Sequence, residues 1–188
     1  MLPIPTTGDD IVCIIGIDPG SETLGVGIIH FNVNTLKIVK TQAKTYTGSK
    51  LSGMEWMAEA HGDRMQRIYR HSNNLVNIFN EYKPIIVAAE SAFINVRRPA
   101  AYGALTEVFF MIRNAVICYD PWCPFYNVEP SNTKRAVGAP GNADKQVVKE
   151  HLLKIDELCS VCETPIETLD EHSIDSLCVA YFQFLKYK

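Results

Sequence analysis

Residues 11–31, IVCIIGIDPGSETLGVGIIHF, decide the fold. The first eight are β-branched and almost wholly apolar, then stop at Asp18-Pro19-Gly20, which predicts a buried strand closed by a turn. Leu24–Phe31 reads as a second strand. The more alternating Thr35–Thr41, separated from it by Asn32-Val33-Asn34, reads as a third, so the chain opens as an antiparallel meander.

Working outward, Met54, Met57, Met65, Ile68, Leu75, Ile78 and Phe79 recur at helical spacing between about Gly53 and Tyr82, as one long helix or two. Pro84 ends that pattern. Ile85–Ala89 predicts a fourth buried strand, terminating at Glu90, followed by an apolar helix over Ala100–Cys118 and a fifth strand at Phe125–Val128. Ser131 or Asn132 is expected to cap a short helix, Asn142 another running through Leu153, and a last helix spans Asp170–Leu185. The order βββαβαβααα predicts an α/β protein on a mixed five-stranded sheet flanked by helices, with residues 1–188 as one domain.

A chain of 188 residues, 47% hydrophobic, can bury one substantial core. No apolar run reaches the roughly 18 residues a membrane span needs, and the N-terminus lacks the basic start and apolar stretch of a secretory signal. A cytoplasmic protein with no membrane partner is expected. The net charge of −3 weighs against nucleic acid as a ligand, yet its distribution is uneven. Basic residues gather at Lys37, Lys40, Lys44 and Lys50, at Arg64, Arg67 and Arg70, at Arg97 and Arg98, and at Lys134, Arg135 and Lys145, while acids concentrate from Asp156 through Asp175. The six cysteines sit partly inside apolar runs and read as reduced thiols. Cys159 and Cys162 form a Cys-x-x-Cys pair with no second pair at zinc-site spacing, which favours structural thiols.

Two acids close strands: Asp18 ends the first and Glu90 the fourth. Side by side in one sheet they would converge at one edge, and close carboxylates are costly unless cations neutralise them. In the last helix His172 and Asp175 are three apart and share a face. Together the four make an oxygen-rich, partly open set suited to Mg²⁺ or Mn²⁺. Asp170 and Glu171 compete with His172 as ligands, since Glu171 and Asp175 also share a face.

Four motifs carry a resemblance. Ile17-Asp18-Pro19-Gly20 with Gly25-Val26-Gly27, Glu90-Ser91-Ala92-Phe93, Ala143-Asp144-Lys145-Gln146-Val147 and His172-Ser173-Ile174-Asp175-Ser176-Leu177 occur in the order found in RuvC-type Holliday junction resolvases, over about residues 11–182. The resemblance implies an RNase H-like fold, a homodimer and a Mg²⁺-dependent endonuclease nicking four-way junction DNA. It implies two Mg²⁺ ions held by Asp18, Glu90, His172 and Asp175, with Mn²⁺ as a substitute. Lys134 and Lys145 would face DNA phosphates, Arg97 and Arg98 would do so less directly, and Phe93 would push into the junction's bases. Against the family pattern, Gln146 follows Lys145 directly, the segment before Glu90 is long, and Cys159 and Cys162 look like an insertion. Rival readings are an RNase H-like nuclease acting on RNA or other branched DNA, and an ATP-binding domain of the actin and sugar-kinase type. The latter architecture needs two such domains, more than this length supplies.

Overall fold

The computed structural model describes residues 10–48, 53, 55–91 and 99–188, the side chains of 99–101 excepted. Strands β1 (Ile11–Asp18), β2 (Thr23–Asn32) and β3 (Lys37–Thr47) form the meander, with β4 (Ile86–Glu90) and β5 (Phe125–Val128) on its other side. The five-stranded order is β3-β2-β1-β4-β5, antiparallel from β3 to β1 and parallel from β1 to β5. The sheet is therefore mixed, as expected.

Helices cover both faces. Cys13, Ile15 and Ile17 of β1 and Val87 and Ala89 of β4 pack on α2 (Asp63–Tyr82) and α3 (Pro99–Tyr119) through Leu75, Phe79 and Ile112. The alternate residues Val12, Ile14 and Ile86 meet α7 (Glu171–Phe184) through Ile174, Leu177, Cys178 and Phe184. Burial on both sides explains why β1 shows no polar alternation.

Boundaries depart from the sequence reading where local hydrogen bonding decides. The helical stretch after β3 is two helices, α1 (Glu55–His61) and α2, parted at Gly62, whose φ of 86° no continuous helix accepts. α2 ends at Lys83, left-handed at φ 47°, whose N–H bonds Phe79 O at 2.8 Å just before Pro84. β3 starts later and runs six residues further than expected, because Asn32 Oδ1 accepts from the N–H groups of Asn34 and Thr35 and holds the turn open to Leu36. α4 (Pro130–Ala136) starts before Ser131 and Asn132, since Pro130 is suited to a first turn and Glu129 takes the cap position. α5 (Lys145–Leu152) is capped by Asp144, whose carboxylate accepts from Val147 N–H at 3.0 Å, and not by Asn142.

One segment has no counterpart in the sequence reading. After α6 (Asp156–Cys159) the chain lays Val161–Glu163 against the outer edge of β3, where Thr41 N–H donates to Val161 O and Glu163 N–H to Thr41 O, each at 3.0 Å. Lys40 and Glu163 close the contact at 2.6 Å. Cys159 and Cys162 pack here against the core as free thiols, Cys159 Sγ lying 3.5 Å from Leu153 O.

Candidate active site

β1 and β4 run in parallel register from Ile14 beside Ile86 to Ile17 beside Ala89. One residue further brings Asp18 level with Glu90, at the carboxyl ends of both strands and on the face that packs α7. Adjacent strands lie about 4.8 Å apart, so neither carboxylate escapes the other.

The last helix completes the cluster. Asp170 caps it, accepting from Ser173 N–H at 2.9 Å and from the Thr45 hydroxyl at 2.5 Å, so the start of α7 is tied to β3. Although burial pushes the Asp170 carboxyl up, the bonds from Thr45 and Ser173 bring it below its ordinary range. It is thus engaged as a cap. Close approach of α7 to the sheet depends on missing side chains. A Cβ on Gly16 would strike Ala180 N and Ser176 O, one on Gly25 would strike the His172 carbonyl, and one on Gly27 would lie 2.6 Å from Leu177 Cα. With the helix so low, His172 and Asp175 reach Asp18 and Glu90.

His172 Nδ1 stands 2.7 Å from Asp18 Oδ2, while its Nε2 is 3.0 Å from Thr23 Oγ1 and 3.7 Å from Glu171 Oε1. The bond with Asp18 holds the imidazole above its ordinary range. Lys145 Nζ lies 3.1 Å from Glu171 Oε2 and 3.4 Å from Asp175 Oδ2. Burial, then Asp18 and Asp175, push the Glu90 carboxyl up to about 8, and burial and Asp18 raise Asp175. Lys134 opposes both shifts from nearby, its Nζ donating to Ala143 O at 2.6 Å.

All four acidic and imidazole candidates and both lysines therefore meet at one end of the sheet. Phe93, Arg97 and Arg98 lie outside the described residues. Among the described residues no three acid, histidine or cysteine side chains already form a coordination cage, because Asp18 and Asp175 turn toward His172 and Lys145. The donor set nonetheless suits a hard divalent cation: carboxylate oxygens with one imidazole, two of the carboxyls being held up by burial and by the charge beside them. The residues fit such an ion once the two side-chain cations give way.

Thr23 escaped the sequence reading. It shares a strand face with Gly25 and Gly27, and that every-other-residue spacing toward α7 was the available signal.

The raised Glu90 carboxyl has a stability consequence. Its folded pKa of about 8 exceeds the ordinary 4.5, so between these values the folded chain binds a proton that the unfolded chain releases. Metal-free stability should fall as pH rises through that window, with the Glu90 contribution intact below it. Glu90→Gln is expected to flatten the decline and, in EDTA at pH 8, to raise Tm by about 2–4 °C for each kcal/mol recovered. Thermal unfolding at pH 5 and pH 8 measures it, and equal pH slopes for the two proteins would contradict it.

The sheet order, the helices on both faces and the acids at the strand ends define an RNase H-like nuclease fold. The family described as crossover junction endodeoxyribonuclease RuvC matches residues 14–180. The chain belongs to this family, and is by that membership a metal-dependent crossover junction endodeoxyribonuclease. Among relatives, the RuvC of Chloroflexus aurantiacus is 28% identical over 170 residues, covering 89% of this chain and 92% of that one. The RuvC of Alkaliphilus metalliredigens is 30% identical over 142 residues, covering 76% and 77%. In structure, T. thermophilus RuvC in complex with Holliday junction substrate superposes with a TM-score of 0.65 at 19% identity, covering 93% of this chain and 95% of that one. The yeast mitochondrial Holliday junction resolvase gives 0.60 at 12% identity, covering 93% and 78%.

Proposed function

We propose that this chain, as a homodimer, nicks four-way DNA junctions using two Mg²⁺ ions held by Asp18, Glu90, His172 and Asp175, with Mn²⁺ able to replace them. The observation carrying this reading is that Asp18, Glu90 and Asp175 meet in one pocket at the sheet's end, where burial and then Asp18 raise the carboxyls of both Glu90 and Asp175. Held by these four residues, such ions would supply acidification of a water and positive charge to offset the negative charge developing on the cleaved phosphodiester. Asp18 and Glu90 anchor from rigid strands, while His172 and Asp175 close the set from the helix. As the site loads, Lys145 leaves Asp175 and Glu171 for a DNA phosphate, and Lys134 contacts a second. Phe93, just past Glu90, stacks on unpaired bases at the crossover, with Arg97 and Arg98 on the backbone beyond it.

Ligands drawn from residues 18 to 175 make the 188 residues one nuclease domain. With six free thiols and junction DNA as its substrate, it works in the cytoplasm. Among the described residues no helix is long and apolar enough to cross a membrane. The dimer reading is supported by an apolar groove of about 710 Å³ between α2 and α3, lined by Met65, Tyr69, Tyr102, Phe110 and Met111, with Phe110 72% exposed. A second copy fits it, since a four-way junction offers two equivalent strands to cut. The mass in solution should be twice 21.1 kDa, and Phe110→Asp should halve it. A wild-type mass of one chain would rule the dimer out.

The decisive experiment compares a synthetic four-way junction with a matched duplex and an RNA/DNA hybrid, each with and without Mg²⁺. Paired junction nicks that require Mg²⁺ are expected. Preferred cutting of the hybrid would replace the reading with an RNase H activity, and cutting the duplex as fast as the junction would remove structure selectivity.

A further inference from the structure

We propose that Thr23 is a positioning residue that selects which ring nitrogen of His172 faces the acidic pocket. The inference rests on the reading of His172 as a ligand. Both nitrogens have partners: Nδ1 lies 2.7 Å from Asp18 Oδ2 and Nε2 lies 3.0 Å from Thr23 Oγ1. Glu171 Oε1, at 3.7 Å from Nε2, is beyond hydrogen-bond length. Nδ1 is thus the nitrogen turned toward Asp18, and among the described residues only Thr23 is within hydrogen-bond length of the other.

A threonine suits this place because its hydroxyl both donates and accepts. Without a cation the ring donates Nδ1–H to Asp18; when neutral it leaves Nε2 bare and the Thr23 O–H donates to it, and when protonated it donates Nε2–H to Thr23 Oγ1. When the ring holds a cation through Nδ1, the proton resides on Nε2, and Thr23 Oγ1 accepts it. A carboxylate or carbonyl at the same point could only accept, which would resist the first state. Ligand imidazoles characteristically donate their distal N–H to a partner that fixes the tautomer, and loss of that partner typically weakens the metal about 10–100-fold.

Thr23 can hold its hydroxyl in place. It begins β2, opposite Thr47 of β3, and shares the α7-facing side with Gly25, whose bare backbone lies against the His172 carbonyl. Its β-branched side chain has restricted χ1 freedom, so the oxygen does not wander.

The test follows the imidazole nitrogens of His172 by ¹⁵N NMR during a Mg²⁺ titration, with Mg²⁺ affinity measured in parallel by calorimetry. In the wild type, Mg²⁺ should move the Nδ1 resonance and leave the ring proton on Nε2. Thr23→Val should mix the tautomers and weaken Mg²⁺ binding about tenfold or more, and Thr23→Ser should restore both. The Tm of each variant separates this from a folding defect, since one that lowered affinity without disturbing the tautomer would overturn the proposal. An unchanged Nδ1 response and affinity in Thr23→Val would overturn it alone. A wild-type ring that ignores Mg²⁺ would overturn the ligand reading and the proposal with it.

Discussion

Asp18→Asn is expected to slow junction cleavage about 10²–10³-fold or more while leaving junction binding within a few-fold of wild type. Asp18 is where the pocket's interactions intersect: level with Glu90 in the sheet, bonded to His172, and a cause of the raised carboxyls of Glu90 and Asp175. Asparagine keeps the size and one oxygen but removes the charge that would hold a cation and that faces His172 Nδ1. Affinity for the junction comes from lysine and arginine on phosphate, and deleting an acid does not weaken that attraction. Single-turnover cleavage and electrophoretic binding at one salt concentration measure the two effects. Near wild-type cleavage by Asp18→Asn would refute the assignment of this pocket.

Gly16→Val is expected to destabilise the fold severely by forcing α7 away from β1. The added carbons would run into the α7 backbone at Ser176 and Ala180, neither of which can rotate aside as a flexible side chain could. The helix would have to lift off β1, opening the core around Leu177 and Cys178 that it closes. Overpacking of a tight core typically costs about 1–3 kcal/mol, and a backbone collision lies at or beyond the upper end. That corresponds to a loss of roughly 6–12 °C in Tm for a chain of this size. Calorimetry of the purified variant decides it; a Tm within 2 °C of wild type would mean that α7 does not ride on the glycines. The same lift would carry His172 and Asp175 away from Asp18, so surviving folded protein should also lose cleavage.

The sheet and the acids were legible in the sequence for one reason. β1 and β4 are buried on both faces, so they appear as unbroken apolar runs, and an acid at the end of such a run is conspicuous. The His172 and Asp175 pair was readable because helical spacing alone puts positions three apart on one face. Thr23 was not, since an isolated threonine entering a strand resembles any other strand residue until the opposing helix is in place. Lys145 was expected to face phosphate, and the structure places it on Asp175 and Glu171. The docking of Val161–Glu163 on β3 was invisible because it turns on one residue, Thr41, offering N–H and C=O outward, and a contact that short leaves no periodicity.

That short contact matters beyond the fold. The rim of an open sheet is a template on which identical molecules can polymerise, and proteins that survive at working concentration interrupt it. Here part of the interruption comes from the chain itself: Thr41 is occupied, and an intruding strand arriving along β3 would meet Glu163, held there by Lys40, before gaining a full register. A Cys-x-x-Cys stretch that looks like a metal clip on paper thus leads into a segment that covers part of the open rim.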